Sequence, residues 1–503
     1  MEDPGPAPPR GSERPAAPSL AAQADVPRLF SRVVDLGDGI DPLDLAGEDG
    51  FVWRSPGGAL VGIGQAARVP VGTGPGRIER AAEAVAALLD AVEVDDPGGR
   101  GLGPAAVGAL PFHPATPGEL VVPALLLRTD PDGRTWAIVT EPAPFAPPGA
   151  ADLRTRLRAD APRAHRWPTA RRLDGPWPTV GTPPTDGGLA PTGGVPAPTG
   201  GVPAPIGGGL WTAGSPRSSG EVASPTGGPG AEPGGSGLAS GVEWWRGAVR
   251  AALAAIGAGR LDKVVLAREA VVEADRPFPR GELLRRLRGR PGGSTYLYAS
   301  GGFVGASPEL LVRRQGRVAV SRPMAGTVPR GGSASAEADG LARLTGSPKE
   351  AVEHRLVVDA VAEGLAKVAD RVQVGRPEVV RLATVAHLAT EITADLTGPL
   401  PSALELAALL HPTPAVGGSP RDAALAAIAT LEPFDRGCYA GPVGWVDRAG
   451  DGEWAVAIRC ATLTGRRAHL IAGAGVVPGS DPDAEWAETE HKLRAMLEVL
   501  LSP

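Results

Sequence analysis

Two hydrophobic rhythms run along the chain, separated by stretches that have neither. FVWRSPGGALVGIG (51–64) and ELVVPALLLRTDPDGRTWAIVTE (119–141) alternate like strands joined by turns, and ERAAEAVAALLDAV (79–92) repeats with the period of an amphipathic helix. After Gly241 the signals become dense. VEWWRGAVRAALAAIGAG (242–259) reads as a helix and KVVLAREAVVEA (263–274) as a strand. STYLYAS, GGFVGAS and ELLVRRQGRVAVSR read as short strands, and KEAVEHRLVVDAVAEGLAKVA (349–369) as a long helix. A strand meander, CYAGPVGWVDRAGDGEWAVAIRCATLTGRRAHLIAGAGVV (438–477), turns at DRAGDG and at TGRR. Ser480-Asp481-Pro482 then punctuates a turn and starts a helix carrying Trp486, Leu493, Met496, Leu497 and Leu500. Antiparallel strands interleaved with long helices predict an α+β fold, a large antiparallel β-sheet core flanked by helices.

Between these patterned regions lies chain of another kind. Residues 1–25 are Pro/Ala-rich and read as a disordered tail, followed by a patterned part at 26–144. Residues 145–240 are rich in Pro, Gly and Ser and contain the near-repeat PTGGVPAPTGGVPAPIGGG, which reads as a flexible insertion. Residues 241–503 form the expected catalytic domain.

Composition narrows the function. The 503 residues are 42% hydrophobic, ample for a core, and Gly 71 with Pro 55 fits a chain that is packed only in part. A net charge of −6 argues against a nucleic-acid partner, while a locally positive pocket for a small anion remains compatible with it. The two cysteines, Cys438 and Cys460, have neither metal nor redox spacing; they suit small buried residues and a reducing cytoplasm. No signal-peptide pattern opens the chain, and no run of eighteen apolar residues predicts a membrane span. A monomer is the expected state.

The chemistry centres on two helices that each carry two glutamates three apart. Glu350 and Glu353 lie on the first, Glu485 and Glu488 on the last, with Lys492 one turn beyond. Each pair alone is compatible with a solvated helix face. Brought together, their carboxylates suit a hard cation such as magnesium, which takes oxygen ligands and keeps waters. Gly473 and Gly475 lack a Cβ, so their backbone can approach a ligand closely. A dinucleotide-fold reading of this G-x-G fails because no βαβ unit follows.

At this point the second half resembles the chorismate-utilising enzymes, most closely the isochorismate synthases. The matching blocks are DKVVLAR (262–268), GASPELL (305–311), SRPMAGT (321–327), SPKEAVEH (347–354), HLATEI (387–392), LHPTPAVGG (410–418), FDRGCYAGPVGW (434–445), AVAIRCA (455–461) and AGAGVVPGSDPDAEWAETEHKL (472–493). Residues 26–144 resemble the family's variable first part only loosely.

The resemblance implies a set of roles. Glu353 and Glu488 become Mg2+ ligands that present the metal to the ring carboxylate of chorismate, with Glu350 and Glu485 holding waters on it. Lys263 becomes the base and Glu309 the acid of a reaction that adds water at ring C2 as the C4 hydroxyl leaves. A lysine is a base near neutrality only when its pKa is depressed, and a glutamate is an acid there only when its pKa is raised, so partial burial is expected of both. Arg459, in an apolar stretch, suits a carboxylate clamp, completed by Tyr439 and Lys492, with His387 near the ring. Lysine at 263 with alanine at 415 is the pattern of the water-using members; ammonia users differ at the first position and carry threonine at the second. No G-x-C-x-G glutaminase motif occurs in the chain, so no glutaminase subunit is expected. Salicylate synthase, which goes on to eliminate pyruvate, is the nearest alternative. A noncatalytic chorismate-binding protein is a third, and the completeness of the acid, base and metal set weighs against it.

Overall fold

The computed structural model of the chain describes residues 28–45, 47–142, 148–159, 166–173, 237–290, 295–330 and 334–502. Among these residues two large, almost wholly antiparallel sheets carry most strands. The first runs, neighbour to neighbour, from Ala170–Leu173 through Lys263–Ala274, Arg467–Val476, Cys460–Thr464, Phe303–Ser307 and Tyr296–Ser300 into Phe51–Ser55, Gly58–Ile63, Leu125–Thr129, Thr135–Pro142 and Leu29–Gly37. The second runs from Ala369–Val374 through Ile392–Leu396, Val318–Arg322, Leu310–Gln315, Gly452–Val456 and Pro442–Asp447 into Ala105–Ala109, Gly118–Val122 and Ala67–Val71. A small third sheet joins Met324–Pro329, Val385–Ala389 and Glu378–Arg381. The α+β expectation holds, with the antiparallel core divided between two large sheets.

The two halves of the chain share those sheets. Tyr298 pairs with Trp53 in the first, and Gly444 with Gly108 in the second. Trp53, Trp245, Tyr298 and Trp454 are fully buried in one continuous core. Lys263–Ala274 is covered on both faces, which is why its sequence is a nearly unbroken apolar run rather than a clean alternation.

Two neighbouring segments switch sheets at one corner. Phe303–Ser307 belongs to the first sheet and Leu310–Gln315 to the second; Gly452–Val456 belongs to the second and Cys460–Thr464 to the first. The crossings lie side by side. The Ala306 N–H donates to the Arg459 carbonyl at 3.1 Å, and the Val456 N–H donates to the Glu309 carbonyl at 3.1 Å. Strands that change sheets leave their ladder for a few residues, freeing side chains to point into the corner. Arg459 crosses with a left-handed backbone, φ 53°, so it sits between two strands rather than within one.

The helix signals are borne out where caps are strong. Pro482–Leu501 begins at Asp481, whose carboxylate accepts from the N–H groups of Asp483 and Ala484, with proline at the first turn. Pro348–Ala366 begins at Ser347, whose hydroxyl accepts from the Glu350 N–H.

Part of the expected insertion is packed, which corrects its start. Ala150–Ala159 form a helix whose Leu153 and Leu157 are buried, Trp167 lies against Phe278 at 5.7 Å, and Ala170–Leu173 pair with Val271–Ala274 at the sheet edge. An edge strand needs backbone hydrogen bonds more than apolar side chains, so composition hid it. The PTGGVPAPTGGVPAPIGGG repeat, with all of 174–236, and the tail at 1–25 lie outside the described residues.

Candidate active site

The corner opens into a cleft of about 560 Å³. Glu309, Glu353, His387, Ala415, Tyr439, Arg459, Gly473, Gly475 and Lys492, nine of the expected site residues, line it. They come from segments spread over nearly two hundred residues, assembled by the sheet switch and by the two glutamate-bearing helices.

Lys263 begins its strand and is fully buried. Its Nζ lies 2.8 Å from Glu353 Oε1, so the expected base is ion-paired with an expected metal ligand. Val265 pairs with Gly475, which places the glycine beneath this contact. A Cβ on Gly475 would lie 2.7 Å from Glu353 Oε1 and 3.0 Å from Lys263 Cε. At Gly473 it would lie 2.9 Å from the Leu266 carbonyl and 3.1 Å from the Tyr439 hydroxyl. A side chain at Gly473 would thus press on fixed backbone, and one at Gly475 would displace the Glu353–Lys263 contact, before any ligand is considered.

Glu309 follows Ser307-Pro308 at the crossing. The Ser307 hydroxyl donates to the Val456 carbonyl at 2.6 Å and accepts from the Glu309 N–H at 3.2 Å, tying the turn to the neighbouring crossing. The carboxyl is 4% exposed. Burial pushes its pKa up to about 7, although a Met324 backbone hydrogen bond and the charges of Arg459, Lys263 and Lys492 act the other way. The burial expected of an acid is present.

His387 faces Arg459. Its Nδ1 lies 2.9 Å from the Gly326 carbonyl and 3.2 Å from the Thr327 hydroxyl, and its Nε2 lies 3.1 Å from Arg459 Nη2. The guanidinium can only donate, so Nε2 accepts and Nδ1 carries the proton to the Gly326 carbonyl. Burial, then the nearby Arg459 and Lys492, push the imidazole down to about 3, consistent with a neutral ring. Both nitrogens are therefore occupied, Nε2 by Arg459 and Nδ1 by the Gly326 carbonyl and Thr327 hydroxyl, while the ring lines the cleft.

The last helix carries a second lysine–glutamate pair. Lys492 Nζ lies 2.6 Å from Glu488 Oε1 and donates to the Gly473 carbonyl at 2.8 Å. Glu485 is buried rather than solvated, and Glu350 sits against Gly326, whose φ is +73° and whose Cβ would lie 2.7 Å from Glu350 Oε2. Among the described residues no three His, Cys, Asp or Glu side chains gather as a metal-holding group. Of the two glutamate-bearing helices, the first offers Glu353 to the cleft and the last offers Lys492, with Glu488 held behind it by that lysine; carboxylate oxygens are donors of the type magnesium takes.

Some residues that shape the cleft were not singled out from sequence. Thr327 contacts His387. His354 is buried, with Nε2 2.7 Å from the Thr390 hydroxyl. Glu432 and Arg436 form a buried pair beneath the Lys263 strand. The only local sign of that pair is an acid and a base four apart, a spacing common on solvated helix surfaces.

A corner between two sheets, lined by a buried acid, a buried lysine pair and a histidine-held arginine, defines an enzyme cleft for a small anionic substrate. The description "Chorismate binding enzyme" matches residues 238–501, more than half of the chain, and the chain belongs to that family. The isochorismate synthase DhbC of Bacillus subtilis is 43% identical over 270 residues, which are 51% of this chain and 68% of that protein. The isochorismate synthase EntC of Escherichia coli K12 is 42% identical over 245 residues, 48% of this chain and 62% of that one. The solved structure of MenF, the menaquinone-specific isochorismate synthase of Escherichia coli, superposes with a TM-score of 0.66 at 23% identity, covering 95% of each chain, and so shares the fold. No helix among the described residues is long and apolar enough to cross a membrane.

Proposed function

We propose that the protein is an isochorismate synthase that converts chorismate to isochorismate by adding water at C2 as the C4 hydroxyl departs. The observation that carries this reading is the Glu309 carboxyl, buried and held near pKa 7, in a cleft shared with Lys492 and Arg459 and bordered by the Lys263–Glu353 pair. An acid that keeps its proton near neutrality can give it to a leaving hydroxyl. The 43% identity to DhbC, covering the segments that form the cleft, supports the same assignment.

In this scheme Glu353 and Glu488 would hold Mg2+, which would supply positive charge to the ring carboxylate of chorismate. Arg459, oriented by His387, clamps the other carboxylate with Lys492, and Tyr439 closes the wall. Lys263, once the ammonium that pairs with Glu353 has given up a proton, takes the proton from the attacking water, and Glu309 protonates the departing C4 oxygen. Ala415 leaves the wall short of a hydroxyl that could hold a different nucleophile. Relatives named DhbC, MenF and vibriobactin-specific isochorismate synthase show similar identities, and isochorismate destined for menaquinone or for a siderophore fits the reading equally.

The test is chromatography of the products formed from chorismate with magnesium. Wild type should give isochorismate. Lys263→Ala should lose it by about 10²-fold or more, because attack at C2 lacks its base. In high ammonium that variant should form some 2-amino product, and adding Ala415→Thr should not restore isochorismate. Wild-type rates in Lys263→Ala would remove the base assignment. Salicylate and pyruvate as the main wild-type products would make the protein a salicylate synthase.

A further inference from the structure

Beneath the cleft, outside the set of groups assigned to substrate or metal, lies an ion pair with an unusual number of backbone bonds. Glu432 and Arg436 are both 2% exposed at the side chain. Arg436 Nε donates to Glu432 Oε2 at 2.8 Å, and Nη2 donates to Oε1 at 2.5 Å. The remaining capacity of the pair is spent on three backbone groups in two chain segments. Glu432 Oε1 accepts the Ala267 N–H at 2.7 Å; Arg436 Nη2 donates to the Val265 carbonyl at 2.7 Å, and Nη1 to the Val416 carbonyl at 2.9 Å. The Arg436 carbonyl accepts the Tyr439 N–H at 2.9 Å, and the guanidinium lies over Phe112 at 4.4 Å.

These segments are the ones that carry the cleft. Val265 lies two residues after Lys263 on the same strand, and Val416 follows Ala415. Val265, Val416 and Tyr439 all line the cleft wall. A single planar guanidinium therefore joins the strand that begins at Lys263 to the loop that presents Ala415, while the backbone carbonyl of the same residue closes the turn that presents Tyr439. Lysine could not reproduce this, because one ammonium lacks the rigid fork that reaches two carbonyls and a carboxylate at once.

We propose that Arg436, locked by Glu432, is a positioning residue: it sets the spacing between the Lys263 strand and the Ala415 loop, and so the approach of the nucleophile to the ring. The proposal rests on the isochorismate synthase reading. It separates two properties that a purely structural pair would move together. The charged groups of chorismate are held by Arg459, Lys492 and the Glu353 and Glu488 side, none of which Arg436 touches; Tyr439, which it does touch, only closes the wall. Loss of the clamp should thus lower kcat while KM stays close to wild type, since small misplacements of a reacting group are costly even when binding survives.

Removing one partner alone would strand a buried charge and unfold the protein for an uninformative reason. The decisive variant is the double Glu432→Gln with Arg436→Met. It is neutral and near the original volume, and its amide oxygen can still accept the Ala267 N–H. The expected result is a protein that still folds, with a melting temperature lowered by its two unpaired carbonyls, kcat lowered about tenfold or more and KM within about threefold. Arg436→Lys, which keeps the charge pair, should show the same split. A folded double variant, or a folded Arg436→Lys, with wild-type kcat overturns the proposal. So does a loss of kcat that follows the loss of melting temperature through both variants. If wild type itself forms no isochorismate in the same assay, the functional reading falls, and this proposal with it; that outcome is read from wild type alone and is distinct from the variant results.

Discussion

Residues 28–142 and residues 237–502 supply neighbouring strands to the same two sheets, yet every residue lining the cleft comes from the second region. The first region is joined by backbone ladders and by apolar packing, as where Trp53 meets Tyr298 and Gly108 meets Gly444. Those demands are met by many sequences of the right pattern. The second region must place an acid, a lysine and an arginine at a sheet corner, which tolerates far fewer. The family match at 238–501 follows the same division. Changes in the second region should therefore act on chemistry and those in the first on stability, and the comparison breaks wherever that rule fails.

The largest effect is expected at Glu309. Glu309→Gln should lower kcat by about 10²-fold or more, since the departing hydroxyl loses its proton donor. In wild type, kcat should fall as pH rises through about 7, where the carboxyl loses its proton. Stability should fall with pH in the same direction. Between its ordinary value of 4.5 and about 7, the native carboxyl keeps a proton that the unfolded chain has released, so this group's contribution to stability declines as pH rises through that window. Glu309→Gln removes the liability, and at pH 8 the inactive variant should melt above wild type, by an amount on the order of 1–3 kcal/mol. A variant that melts lower at pH 8 would show that the native site favours the ionised form.

Metal binding comes next. Glu488→Gln and Glu353→Gln should each weaken Mg2+ affinity at least tenfold by titration calorimetry, because each removes a charged ligand from a site with few. Glu485→Gln should weaken it less, on the order of tenfold at most, through displaced water. Unchanged affinity in both ligand variants would remove the metal assignment while leaving the acid untouched.

How much of this was legible in the sequence divides along the same line. The strand from Lys263 was readable from its apolar run, and the last helix from Ser480-Asp481-Pro482, because caps and periodicity are local. The identities of the cleft residues were readable through the family blocks. What those residues touch was not. Arg459 meets His387 across seventy-two positions, and Lys263 meets Glu353 across ninety. Such contacts exist only once the sheets are assembled. The burial of Glu309 likewise depends on a crossing between two sheets that no local pattern announces. The strand Ala170–Leu173 was missed because an edge strand is held by its partner's backbone.

In the first region, Trp53 provides the test of the scaffold half of the rule. Its indole N–H donates to Glu453 Oε2 at 3.0 Å, and the Ser55 hydroxyl donates to the same oxygen at 2.7 Å. Trp53→Phe keeps the packing and removes one hydrogen bond to a buried carboxylate, at a cost of about 1–3 kcal/mol. Denaturant melts should show that loss while kcat stays within about twofold of wild type, as expected for a residue that does not line the cleft. A kcat loss exceeding the stability loss would mean that the first region positions the cleft as well as supporting it.

The smallest effect is expected between the two regions, and there the position of the cut decides everything. Removing residues 180–230 behind a short linker deletes the Pro/Gly-rich repeat, whose composition offers few apolar side chains to bury. Catalysis should stay within about threefold of wild type, as expected of a composition with few apolar side chains. Moving the cut back to residue 150 removes much more. It takes Leu153 and Leu157 from the core and strips Ala170–Leu173 from the edge of the strand that begins at Lys263. It also removes Arg172, which holds Glu490 on the last helix through two hydrogen bonds of 2.8 Å. Glu490 lies two residues from Glu488 and two from Lys492, so the longer deletion loosens the helix that carries them. Expression, melting temperature and turnover measured on both deletions separate the cases. Equal behaviour of the two would mean that residues 150–173 are as dispensable as the repeat, and loss of activity in the shorter deletion would mean that the repeat itself supports the cleft.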